Sequence, residues 1–138
     1  MIYWTRKIGS CFAPIVFLVG LANCGKLPGN RSSSCSSSVE PAVVVEIRDA
    51  RTGASLAASA TGVVRDNSYV DSLRPHEGRG TAPFALTSRA AADERPGTYS
   101  VQVYSPGYRM WAREGVRVTR DECHVRTQRL TAGLEPNH

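Results

Sequence analysis

Histidine is scarce in this chain, with three in 138 residues, His76, His124 and the terminal His138. No C-x-x-C or H-x-x-x-H spacing accompanies them, which argues against a zinc site as the organiser of the fold. A G-x-S-x-G nucleophile elbow is also missing, so the usual strand-turn-helix presentation of a catalytic serine is not available. No stretch sustains apolar positions at i, i+3 and i+4 between capping residues, and little or no helix is expected. Like charges form no block. The basic residues are almost all arginine and are interspersed with acids from Arg48 to Arg129, a pattern that suits a salt-bridged surface and not a nucleic-acid stripe.

What the N-terminus does have is two cations, Arg6 and Lys7, followed by an apolar run over 12–22 (FAPIVFLVGLA) interrupted by Pro14 and Gly20. Crossing the hydrocarbon core as a helix takes about 20 apolar residues, so this run reads as an export signal over 1–23. Its end, Leu21-Ala22-Asn23-Cys24, resembles a bacterial lipobox, in which the cysteine thiol takes a diacylglycerol before cleavage. Asn23 departs from the Gly, Ala or Ser usual before the cysteine. The alternative is an ordinary secretory signal cut near the same place. Lipidation of Cys24 is the preferred expectation, with the chain exported and held at a membrane of the cell envelope. Gly25 follows the cysteine where an Asp would resemble inner-membrane retention, so an outer-membrane address is favoured. Loss of Arg6 and Lys7 with the signal lowers the formal net charge from +5 to about +3.

Cys11 leaves with the signal and Cys24 takes the lipid, so Cys35 and Cys123 are left as the pair expected to form a disulfide in an oxidising compartment. Two free thiols are the plainer alternative. Residues 24–40 are rich in Gly, Ser and Pro and bury too little to order themselves, which makes them a tether.

Beyond the tether the pattern has period two. Residues 42–48 place Val43, Val45 and Ile47 on one face and Val44, Glu46 and Arg48 on the other, and 49–53 (DARTG) carry turn chemistry. Strands are expected over 59–65 and 68–73, joined across Asp66-Asn67, and 74–83 reads as an exposed loop. Strand character resumes at 84–88, and 90–97 leads into 98–104, where Tyr99, Val101 and Val103 face inward. After the Ser105-Pro106-Gly107 turn come 108–112, 116–119 and a last strand over 124–131. One all-β domain over 41–132 is expected, an antiparallel sandwich, with 133–138 as a tail.

The run 96–108 (PGTYSVQVYSPGY), with 43–53 and 116–130, resembles the carboxypeptidase regulatory-like domain. The resemblance covers roughly 41–130. It implies a seven-stranded prealbumin-like (transthyretin-like) sandwich with a non-catalytic accessory or binding role, no enzyme activity and no cofactor. The same fold hosts a hydroxyisourate hydrolase family with several site histidines and a Tyr-Arg-Gly-Ser terminus. This chain ends Gly133-Leu134-Glu135-Pro136-Asn137-His138 and lacks that signature.

Two places remain as candidate sites. Alternation through 108–113 (YRMWAR) puts Tyr108, Met110 and Ala112 toward the core and gathers Arg109, Trp111 and Arg113 into a contact surface where an indole stacks with guanidinium groups or a planar ligand. Ordinary packing of Trp111 beneath an arginine stem is the alternative, and the simpler one. A small envelope hydrolase built on His76 with Asp71, or on His124, is the competing functional class. The expected partners are the membrane, through the lipid, and an envelope protein or glycan, with no nucleic acid and no metal.

Overall fold

The structure, a computed structural model, describes residues 34–77 and 86–137. The signal, Cys24, most of the tether and Phe84 lie outside the described residues. Eight strands follow one another: β1 (Pro41–Asp49), β2 (Thr61–Asp66), β3 (Tyr69–Ser72), β4 (Arg74–His76), β5 (Ser88–Asp93), β6 (Gly97–Tyr104), β7 (Trp111–Val118) and β8 (Gln128–Leu134). They form two four-stranded sheets, ordered β4-β5-β1-β8 and β3-β2-β6-β7, and among the described residues there is no helix. The fold is an all-β sandwich.

Val43, Val45 and Ile47 of β1 are fully buried and share one core with Val64 of β2 and Tyr99, Val101 and Val103 of β6. Each such side chain contributes about 1.5–3 kcal/mol when removed from water, so β1 and β6, with three each, carry much of the stability. Val44, expected on the open face of β1, is buried as well. Its strand is hydrogen-bonded on both sides, to β5 antiparallel and to β8 parallel, so the sheet is not wholly antiparallel as anticipated.

Turn chemistry places the connections. Asp49 Oδ1 accepts the amides of Arg51 and Thr52 at 2.8 and 2.9 Å, and Gly53 takes a φ of 73°. Asn67 takes a φ of 53° in the β2–β3 hairpin, as its short polar side chain permits. At the start of β6 the buried Tyr99 hydroxyl donates to the Arg95 carbonyl at 2.7 Å, a tyrosine-corner arrangement of the kind found in β-sandwiches. Burial pushes that hydroxyl's pKa up to about 12.

Several expectations require correction. Arg74–His76, expected in an exposed loop, forms the short edge strand β4 on β5, which brings the described strands to eight where seven were anticipated. Pro75 is tolerated there because an edge strand need not donate on its outer side. Ser88–Asp93 is strand where 90–97 was read as a connection, its alanines being small enough to lie buried against β1. β7 is continuous over residues expected to be two pieces. β8 begins at Gln128 and runs to Leu134 where a last strand over 124–131 was expected, and that leucine, beyond the expected domain limit at 132, is fully buried.

Candidate functional site

The disulfide Cys35–Cys123 is formed, with the two Cα atoms 5.3 Å apart and a sequence separation of 88. Its far partner sits in a tight turn. Asp121 Oδ1 accepts the amides of Cys123 and His124 at 2.9 and 3.0 Å, and Arg120 bridges to Val125 across the turn. Those two amides hold the Asp121 carboxyl below the usual carboxylate range, with the His124 amide the larger cause. The turn is thereby locked in a shape that presents Cys123 and His124 side by side.

His124 then joins two segments that are distant in sequence. Its Nδ1 lies 2.7 Å from Glu94 Oε1 and its Nε2 lies 3.0 Å from Ser36 Oγ, while Ser36 Oγ is 2.7 Å from Ser38 Oγ. Glu94 follows β5 with a φ of 51°; its amide donates to the Glu40 carbonyl and its Oε1 accepts the Glu40 amide, both at 2.9 Å. The Glu40 amide, followed by His124, lowers the Glu94 pKa against the opposing effect of burial. A carboxylate is thus held in place on one side of the imidazole and a hydroxyl on the other.

The other sequence candidates lie elsewhere. His76 is on β4, where its carbonyl accepts the Ser88 hydroxyl at 3.0 Å. Asp71 is engaged by Arg74 at 3.2 Å and by the Ala92 amide at 2.8 Å. Around Trp111 the expected alternation holds only in part: Tyr108 packs against the core and Arg109 and Arg113 are exposed, as expected, but Met110 is 62% exposed and Ala112 is exposed, whereas Trp111 is half-buried against the core. The reason is a register shift between Tyr99 and Val101, which pair with Val116 and Arg113. Gly115, at a φ of 67°, occupies the resulting β-bulge, which reverses the facing parity along β7. Trp111 is therefore opposite the buried Val103, and the arginines have no open indole between them.

Sequence reasoning missed Ser36 and Glu94. Ser36 had a signal, since a disulfide that joins Cys35 to Cys123 brings their neighbours Ser36 and His124 together. Glu94 had none. A further feature it missed is an open groove of about 400 Å³ beside β2 and β6, lined by Gly62, Ser72, Leu73, Gln102, Tyr104 and Met110, of which Tyr104 is 53% exposed. Among the described residues no group of three or more His, Cys, Asp or Glu stands together as a metal site. Neither a protein-family model nor a curated protein matches this chain.

Proposed function

We propose that the chain is an exported module held at the cell envelope by a lipid on Cys24, its sandwich serving there as a binding or structural unit for a protein or glycan partner. The Cys35–Cys123 disulfide carries this reading. Such a bridge persists in oxidising compartments. It also ties position 35, eleven residues after Cys24, to the turn at Cys123. The period-two strands, the two packed sheets and the resemblance to carboxypeptidase regulatory-like domains support a prealbumin-like form of the sandwich. The groove beside Tyr104 offers such a partner an aromatic ring flanked by amide and hydroxyl groups.

Mass spectrometry of the membrane fraction tests the anchor. The expected product begins at Cys24 and carries acyl-chain mass, and Cys24→Ala releases the domain from the membrane. An unmodified, freely soluble wild-type product would overturn the reading.

A further inference from the structure

We propose that Ser36, His124 and Glu94 form an acyl-transfer site, with Ser36 Oγ as nucleophile, His124 Nε2 as its base and Glu94 as the positioning residue, acting on small activated carboxylic esters. This goes beyond the anchored-module reading and does not depend on the lipid. It departs from the expectation that the chain has no catalytic set.

The two nitrogens of His124 have the partners that this chemistry needs. Glu94 Oε1, at 2.7 Å, accepts the Nδ1 proton, which leaves the Nε2 lone pair directed at Ser36 Oγ 3.0 Å away. Ser36 then donates its only proton to Nε2, so the 2.7 Å contact with Ser38 must be a hydrogen bond from the Ser38 hydroxyl to Ser36 Oγ. That donor sits beside the oxygen on which negative charge grows as its proton departs. Glu94 is itself held by the Glu40 amide, so the order of nucleophile, base and oriented acid is complete.

The nucleophile is the open member of the three. Ser36 is exposed, whereas the His124 and Glu94 side chains are 21% and 27% accessible. A solvent-borne ester can reach the hydroxyl while the acid stays sheltered. The disulfide next to both Ser36 and His124 holds the nucleophile to its base despite their sequence separation of 88. The open position favours an ester with a good leaving group over an amide.

In the first half-reaction the Ser36 Oγ–carbonyl carbon bond forms, the Oγ proton passes to Nε2, the ester C–O bond breaks, and the departing alkoxide takes that proton. Water then attacks the acyl-Ser36, giving one proton to Nε2; the carboxylic acid leaves and Ser36 Oγ recovers the proton. One ester and one water become one acid and one alcohol.

The test uses the full chain in detergent with a fluorophosphonate probe, where Ser36 Oγ displaces fluoride from phosphorus, and with p-nitrophenyl acetate. The expected label maps to Ser36 alone. Ser36→Ala abolishes it, and His124→Gln slows it by about 100-fold or more, the usual size of a general-base contribution. Glu94→Gln slows both reactions and Glu94→Asp restores part of the rate, with unfolding midpoints measured for every variant to separate reactivity from folding. Absence of label on Ser36, its spread over Ser37 and Ser38, or an unchanged rate in folded His124→Gln would overturn the proposal, whether or not Cys24 is found lipidated.

Discussion

Asp49 shows how much a single side chain can organise. Its Oδ1 caps the turn after β1 through two amides, and its Oδ2 accepts the Tyr108 hydroxyl at 2.7 Å, from 59 residues away. The Thr52 amide first, then the Tyr108 hydroxyl and the Arg51 amide, lower its pKa to about 2. A carboxyl depressed in the folded state binds protons more readily when unfolded, so its stabilisation is complete above the unfolded value near 4 and is lost as pH falls through about 2. Urea unfolding of Asp49→Asn is expected to show a lower midpoint than wild type at neutral pH, with the gap narrowing between pH 4 and 2. A gap that stays constant over that window would remove the charge from the account. The DARTG pattern announced the turn, because the Asp side chain bonds amides two and three residues on and Gly accepts a positive φ. The bond to Tyr108 was not legible, since nothing local in either residue names the other.

At the level of elements, the strands read correctly were those whose side chains alternate on their own account. β1 and β6 carry valines, isoleucine and tyrosine at every second position, and the β2–β3 hairpin is marked by Asn67. β5 escaped because three successive alanines have no alternation and little β-propensity; its strand state comes from pairing with β1. β7 was misphased by the bulge at Gly115, whose extra residue exchanges the two faces. Gly62 of β2 shows the same dependence on neighbours, for a Cβ there would collide with the Gln102 carbonyl oxygen of β6 and stand 2.6 Å from Leu73 Cδ1. Gly62→Ala is therefore expected to destabilise by about 1–3 kcal/mol, read as a lower urea midpoint. A midpoint equal to wild type would mean that β2 and β6 can separate without cost.

For the whole molecule, the disulfide is the long-range constraint. Closing a loop between residues 88 apart lowers the entropy of the unfolded chain and stabilises by about 4–5 kcal/mol in the chain-entropy model. The paired variant Cys35→Ser with Cys123→Ser should lose a large part of that in denaturant titration, and wild type with reductant should behave alike. Equal midpoints with and without the bridge would show that the sandwich is held by its core alone. The same bridge fixes the amino-terminal edge of the domain, so its loss should also free Ser36 from His124.

The sequence by itself determined the class of fold, the central strands, the turns at Asp49 and Asn67, and the pairing of Cys35 with Cys123, because each follows from periodicity, local backbone chemistry or a count of cysteines. Tertiary structure alone decided the parallel placement of β8 beside β1, the strand state of β4 and β5, the side to which Trp111 turns, and the meeting of Glu94 with His124. Those outcomes depend on which segments become neighbours when the two sheets close on one core, and no residue carries that information by itself.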